Sequence, residues 1–201
     1  MHGKSKTLTQ PLPSLPGAEQ EALAIAPLLK TKAIIGKDAT KTAIVQLMPK
    51  ARIIHLATHG LLDEIQGIGS AIALAPDPPS PLSKGGQEGG DGLLTAEEIL
   101  NLKLNADLVV LSACNTGRGR ITGDGVIGLS RSLISAGVPS VIVSLWSVPD
   151  APTAELMTQF YQNLQKNPDK AQALRQARLT TMKEHANPKE WAAFTLIGEA
   201  N

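Results

Sequence analysis

The chain has 201 residues, of which 42% are hydrophobic, which is enough for one well-cored domain with or without a flexible end. Its 19 basic residues nearly balance its 18 acidic ones, so the net charge of +1 supplies none of the basic field that binding nucleic acid requires. A single cysteine excludes an internal disulfide, and no apolar stretch approaches the ~18 uncharged residues of a membrane span.

Residues 1–17 form the first segment, which we interpret as a flexible tail or linker because it contains Pro11, Pro13 and Pro16. Its basic residues are followed by prolines rather than by an apolar block, so the segment is not a secretory signal. We therefore expect a cytoplasmic protein that has neither a membrane nor a nucleic acid as its partner.

Helical and strand patterns alternate over residues 18–198, which predicts one α/β domain whose parallel strands are joined by crossover helices. Apolar residues at helical spacing, Leu23, Ile25, Ala26 and Leu29, predict the inner face of the first helix. In chain order, the predicted elements are a helix over 18–29, a strand over 33–36, a helix from 40 to about 48, a strand over 53–57, a short helix after 95, a strand over 108–112, a helix over 125–136, a strand over 140–145, helices over 150–166 and 169–183, and a strand over 194–197.

Three helix starts carry residues that are typical of N-caps. Thr40 and Asp169 each precede a helical pattern, and their side-chain oxygens can accept backbone N–H bonds there. Thr95 is followed three residues later by Glu98, which is the signature of a capping box.

Residues 76–92 interrupt the pattern with Pro-Asp-Pro-Pro-Ser-Pro and Lys-Gly-Gly-Gln-Glu-Gly-Gly, and Leu82 is the only apolar residue among them. Such a composition cannot offset the entropy lost on ordering, so we predict a disordered insertion. A lid or a processing site is the functional alternative, because exposed polar loops attract proteolysis.

His59 and Cys114 each follow an apolar, β-branched run, and together they suggest a catalytic pair. If the two runs are neighbouring parallel strands, the imidazole and the thiol meet at one edge of the sheet. A nearby imidazole lowers the pKa of a thiol and protonates the leaving group, while the N–H groups of Gly60 and Cys114 can hold an oxyanion. Taken singly, each residue has a structural alternative, a buried thiol or a core or surface histidine.

His55 and His59 have the spacing of a helical zinc motif, but the segment is strand-like and Leu56 replaces the usual Glu. Four residues along a strand span roughly 13 Å, which is too far for one ion to bridge. No third ligand cluster is present in the sequence, so we predict no metal site.

Residues 123–128 read Gly-Asp-Gly-Val-Ile-Gly, a literal dinucleotide-binding pattern. In a dinucleotide site the first glycine directly follows the strand, whereas ten residues separate Ser112 from Gly123. Nucleotide binding is therefore the lesser alternative, and we expect these glycines to form a tight turn over the site.

Six segments of the sequence carry a family resemblance. They are His-Leu-Ala-Thr-His-Gly (55–60), Asp-Gly-Leu-Leu-Thr-Ala-Glu-Glu-Ile (91–99), Leu-Val-Val-Leu-Ser-Ala-Cys-Asn-Thr-Gly (108–117), Gly-Asp-Gly-Val-Ile-Gly-Leu-Ser-Arg (123–131), Ser-Leu-Trp-Ser-Val-Pro-Asp (144–150) and Trp-Ala-Ala-Phe-Thr-Leu-Ile-Gly (191–198). In this order they resemble the CHAT domain family, which belongs to the caspase-like cysteine peptidases and is related to separase. The resemblance covers about residues 12–198. It implies a caspase-like three-layer α/β/α sandwich with a mostly parallel central sheet, and a His59/Cys114 dyad that needs no cofactor.

The resemblance also implies where a substrate binds. In separases, an acidic residue in a Trp-x-Val-x-Asp motif holds a basic side chain of the substrate, and here Trp146, Val148 and Asp150 resemble that motif. Asp124 is a second acidic candidate. The alternative for Asp150 is structural, because an Asp at this point is a good N-cap for the helix that follows.

CHAT domains usually have further strands upstream of the Leu-Pro-Gly-Ala-Glu segment (15–19 here), and tetratricopeptide-type repeats often precede them. Neither is present in the sequence, so we expect an N-terminally shortened copy that lacks its first strand and leaves a central position of the sheet unfilled.

These features predict a cysteine endopeptidase domain that cleaves a specific protein substrate after a basic residue. The alternative is a catalytically silent interaction or regulatory module, which a partner could complete by adding a strand. A tetratricopeptide-repeat region or protein is the expected regulatory partner.

Overall fold

The computed structural model of the chain describes residues 12–62, 68–79, 90–115 and 123–201, with the backbone alone described at 113–115 and 123–125. The described strands are β1 (Ile53–Leu61), β2 (Ala71–Ala73), β3 (Leu93–Thr95), β4 (Leu108–Asn115), β5 (Ser140–Ser144) and β6 (Phe194–Gly198). They form one sheet in the order β3-β2-β1-β4-β5-β6. β1, β4 and β5 are parallel and β3 runs in the same direction, whereas β2 and β6 run antiparallel to their neighbours.

Helices cover both faces of this sheet. They are α1 (Pro16–Leu28), α2 (Lys41–Leu47), α3 (Ala96–Leu100), α4 (Gly123–Ser135), α5 (Asp150–Lys166) and α6 (Lys170–Glu184). One buried cluster lies between the sheet and α1, α5 and α6, and a second lies between the sheet and α3 and α4, with α2 at its margin. The predicted three-layer, caspase-like α/β/α fold with a mostly parallel central sheet is thus confirmed.

The central strands are apolar on both faces because both faces are covered. In β4, Val109 and Leu111 pack into the α3/α4 cluster, while Leu108 and Val110 pack into the α1/α5/α6 cluster. This near-continuous apolar sequence is typical of parallel strands that are buried on both sides. The few aromatic side chains of the core lie on the α1/α5/α6 side and are Phe160, Tyr161 and Phe194.

The strand predicted over 33–36 is wrong. Residues 33–35 belong to no strand, Gly36 begins a short 3₁₀ helix (Gly36–Asp38), and Ile34 is 41% exposed. The β-branched composition of this segment suits a strand. A strand also needs a neighbouring strand for its hydrogen bonds, and composition alone does not reveal whether there is one. β2 and β3 were not predicted, since each has only three residues and depends on pairing across residues 74–92.

The centre of the described sheet has no unfilled position. β1 pairs directly with β4 from Ile53↔Leu108 to Gly60↔Asn115. The unfilled strand position that was expected at the centre of the sheet is therefore not found between the described strands. No helix in the described part of the chain is both long and apolar enough to cross a bilayer.

The segment predicted as an insertion, 76–92, connects β2 to β3. Its residues 80–89 lie outside the described part of the chain. At its start, the Asp77 carboxylate accepts bonds from the backbone N–H of Thr42 (3.1 Å) and from its hydroxyl (2.9 Å). At its end, the carbonyl of Gly92 accepts the N–H of Leu74 at 2.7 Å, so both ends of the segment are tied to the fold.

The capping box at α3 is confirmed, and it gives a first test of the fold. The Thr95 hydroxyl accepts the N–H of Glu98 at 3.1 Å, and the Glu98 carboxylate accepts the N–H of Thr95 at 2.9 Å. We expect Thr95→Ala to lower the free energy of unfolding by about 0.5–2 kcal/mol, because a five-residue helix has few other bonds at its start. Urea unfolding measures this, with Thr95→Ser, which keeps the hydroxyl, as the control. Equal losses in both variants would contradict a role for the cap.

Candidate active site

His59 and Cys114 are partners in the sheet. The parallel register of β1 and β4 pairs His59 with Cys114, and neighbouring strands lie about 4.8 Å apart. Both strands run further than predicted, to Leu61 and Asn115. The two residues therefore lie within the last residues of their strands and not beyond the strand ends. Paired positions share a face of the sheet, which places position 114 on the face that His59 occupies.

The His59 ring is buried and held through one nitrogen. Its Nε2 lies 2.7 Å from the carbonyl oxygen of Pro13. A carbonyl only accepts hydrogen bonds, so this contact assigns the proton to Nε2 and leaves Nδ1 of the neutral ring as an acceptor. His59 is only 6% exposed. Its Nδ1 is buried and has no hydrogen-bond partner among the described residues.

Pro13 reaches the site because the segment before α1 lies against the sheet. Leu12 packs against the small cluster of β2 and β3, which consists of Ala71, Ala73 and Leu93. Pro13, which was predicted to lie in the tail, therefore contributes a main-chain group to the site. Residues 1–11 lie outside the described part of the chain.

A buried polar network lies beside the His59/Cys114 pair on the same face of the sheet. One oxygen of the Glu21 carboxylate is 3.0 Å from His55 Nε2, and the other accepts the Ser112 hydroxyl at 3.0 Å. The second ring nitrogen of His55 is 3.0 Å from the Tyr161 hydroxyl. The network thus links α1, β1, β4 and α5, the elements that surround the site.

Tyr161 keeps its proton in this network. Burial raises the pKa of its hydroxyl well above the ordinary value, and the negative charge of Glu21 raises it further. A protonated hydroxyl can donate to Nδ1 of a neutral His55 ring or accept from a charged one, so it satisfies either form.

Sequence reasoning missed Glu21, although a signal was present. The carboxylate is four residues before Ile25 and lies on the same buried face of α1, whereas Leu23, which was assigned to that face, is 50% exposed. A charged residue at an apolar position of a helix is costly unless it is paired, so its spacing from Ile25 was the clue. His55 was considered only as a metal ligand and is instead a partner of Glu21.

Asp150 is the first residue of α5, but it does not cap that helix. The N-cap of α5 is Pro149, which makes no side-chain cap hydrogen bond. Instead the Asp150 carboxylate accepts the N–H of Gly17, in the first turn of α1, at 3.3 Å. The N-cap alternative for Asp150 is therefore wrong for its own helix, and the side chain joins two helices.

The Trp-x-Val-x-Asp segment follows β5 at the same edge of the sheet as the dyad, because β1, β4 and β5 are parallel. Val148 is buried against the α1/α5/α6 cluster, and the indole N–H of Trp146 donates to the carbonyl of Lys189 at 3.1 Å. These contacts anchor the segment that leads to Asp150.

The other predicted residues are placed by the backbone. Gly60 lies inside β1, where it pairs with Ile72 on one side and Asn115 on the other. Asp124 lies in the first turn of α4, which begins at Gly123, two residues earlier than predicted, and its side chain is not described. The tight turn expected of these glycines is therefore replaced, at 123–125, by helical backbone.

Within the described ranges, no group of three or more His, Cys, Asp and Glu side chains is arranged to hold a metal ion. His55 and His59 have separate partners, Glu21 and Tyr161 for the first and Pro13 for the second.

Comparison of the sequence with known proteins identifies its family. The sequence matches the CHAT domain over residues 3–199. It is 32% identical over 214 residues to tetratricopeptide repeat protein 28 of Homo sapiens, and 31% identical over the same length to its Mus musculus counterpart. Each alignment covers 92% of this chain but only 8% of the relative, so the chain spans a small part of those proteins. The chain belongs to the CHAT domain family.

Proposed function

We propose that this chain is a cysteine peptidase domain in which Cys114 is the nucleophile and His59 its acid–base partner. The observation that carries the proposal is the pairing of His59 with Cys114 across β1 and β4, with His59 held through Nε2 and its Nδ1 lacking a partner among the described residues. A ring fixed in this tautomer presents its basic nitrogen to a neighbour on the same face of the sheet.

In this mechanism the Cys114 thiol gives its proton to Nδ1 of His59, which forms a thiolate and an imidazolium. The carbonyl of Pro13 stabilises the cation by accepting its second N–H. The thiolate attacks the scissile carbonyl, the amide C–N bond breaks, and the imidazolium protonates the leaving amine. Water then hydrolyses the thioester with His59 as the base, and the N–H groups of Gly60 and Cys114 hold the oxyanion. None of these steps calls for a cofactor.

A peptide that carries a thiol-reactive electrophile tests the proposal. Because Cys114 is the only cysteine, every thiol adduct on the chain reports this residue. We expect one adduct on the wild type and none on Cys114→Ala, as measured by intact mass. An inert Cys114 in a folded chain would instead favour the non-catalytic interaction module.

Asp150 is proposed to select a basic residue before the cut, because its carboxylate lies at the start of α5, at the end of the anchored segment that follows β5. We expect Asp150→Asn to lower kcat/KM for Arg and Lys peptides by about tenfold or more while changing Leu peptides little. Asp124→Asn tests the second acidic candidate in the same assay. Equal rates for Arg, Lys, Asp and Leu peptides in the wild type would rule out this specificity.

A specific protein is the proposed substrate, and a tetratricopeptide-repeat region or protein is the proposed regulatory partner. The support for the partner is that the two relatives are named as tetratricopeptide repeat proteins and extend far beyond the aligned region. Co-purification of this chain with a repeat segment expressed separately tests the association.

A further inference from the structure

Glu21 is a buried carboxylate of α1, one of the helices that cover the same face of the sheet as His59. The residue is 2% exposed, and its side chain lies on the inner face of α1. A buried charge destabilises a fold by several kcal/mol unless it is paired and hydrogen-bonded, so its bonds must be favourable ones. Both of its oxygens are in fact bonded, one to His55 and the other to Ser112.

These two partners lie on the two strands that carry the dyad. His55 is on β1, four residues before His59, and Ser112 is on β4, two residues before Cys114. The carboxylate therefore bridges β1 and β4 on the N-terminal side of the proposed catalytic pair. No other described side chain bonds to both strands through its two oxygens.

The same helix also leads to the group that orients His59. One turn before Glu21, the N–H of Gly17 is bonded to Asp150, and four residues further upstream the carbonyl of Pro13 is bonded to His59. Glu21 bonds α1 to both strands, and Pro13 lies on the segment that leads directly into α1. The carbonyl that bonds to His59 thus lies just before the helix that carries Glu21.

We propose that Glu21 is a positioning residue of the dyad, which clamps β1 to β4 and sets α1 so that Pro13 can orient His59. This inference rests on the proposed peptidase function. Glu21 touches neither the substrate nor the reacting atoms, and it acts through His55, Ser112 and the backbone of α1.

Glu21→Ala tests the clamp, because it removes both acceptor oxygens and with them the bonds to His55 and Ser112. We expect the electrophile to label this variant about tenfold to a hundredfold more slowly, as small misplacements of reacting groups do. We also expect the pH midpoint of Cys114 alkylation to rise toward the ~8.5 of a free thiol. A loss of stability alone would not move that midpoint in the folded protein.

Glu19→Ala is the matched control, since it makes the same substitution at an exposed position of the same helix and should leave both readouts unchanged. If Glu21→Ala does not fold, Ser112→Ala decides, because it removes only one of the two bonds and should give a smaller shift in the same direction. A folded variant with the midpoint and labelling rate of the wild type overturns the inference. A wild-type midpoint equal to that of a free thiol would instead refute the peptidase proposal itself.

Discussion

Replacement of His59 by Ala is expected to slow the labelling of Cys114 by a peptide electrophile by about 10²–10⁴-fold. The variant removes the only group proposed to take the thiol proton and to protonate the leaving group. It also removes the partner of the Pro13 carbonyl, but the sheet around it stays paired through the backbone. The rate constants are measured by mass spectrometry over time, at a protein concentration where both variants are shown to be folded.

His185→Ala is the matched control for this result. His185 is the C-cap residue of α6, and its ring is bonded to Glu155 of α5. Both residues lie on helices and not on the paired strands. Its replacement should leave the labelling rate within about twofold of the wild type. A labelling rate that is the same in His59→Ala as in His185→Ala would remove His59 from the mechanism.

Gly17→Ala is expected to lower the free energy of unfolding by about 1–3 kcal/mol and to slow the labelling of Cys114. In a helix, Ala is ordinarily more stable than Gly by about 0.5–1 kcal/mol. Here, however, a Cβ on Gly17 would lie 2.0 Å from the Cβ of Asp150, so α1 and the start of α5 must separate. Separation displaces the segment that carries Pro13, which lies four residues before Gly17 and bonds to His59.

A double-mutant cycle isolates this contact. Asp150→Gly removes the Cβ that a side chain at position 17 would meet, so we expect Gly17→Ala to be neutral or to stabilise the fold by up to about 1 kcal/mol in that background. Urea unfolding and the labelling rate are measured for all four proteins. The same loss of stability in both backgrounds would show that the effect of Gly17→Ala does not come from Asp150.

Much of the scaffold could be predicted because it rests on local rules. The apolar, β-branched runs at the starts of β1 and β4 and the N-caps at Thr40, Thr95 and Asp169 all depend on neighbours in the sequence. The pairing of His59 with Cys114 followed from one further rule, that the carboxyl ends of parallel strands meet at one edge of the sheet.

The features that could not be predicted depend on contacts between distant parts of the chain. Glu21 and Ser112 are 91 positions apart, and Gly17 and Asp150 are 133 apart, so no spacing in the sequence indicates that they meet. The Pro13 carbonyl is a main-chain group, which every residue has, and only the fold selects this one. The strand predicted at 33–36 fails for the same reason, since a local pattern does not reveal whether a neighbouring strand exists.

The most direct test of the proposed dyad is the pH dependence of iodoacetamide alkylation of Cys114, in the wild type and in His59→Ala. Since the chain has one cysteine, the reaction reports a single thiol. An imidazolium–thiolate pair predicts a midpoint at least about one pH unit below the ~8.5 of a free thiol in the wild type, and a return to that value or above in the variant. The same midpoint in both proteins would contradict the pairing of His59 with Cys114 as a catalytic unit.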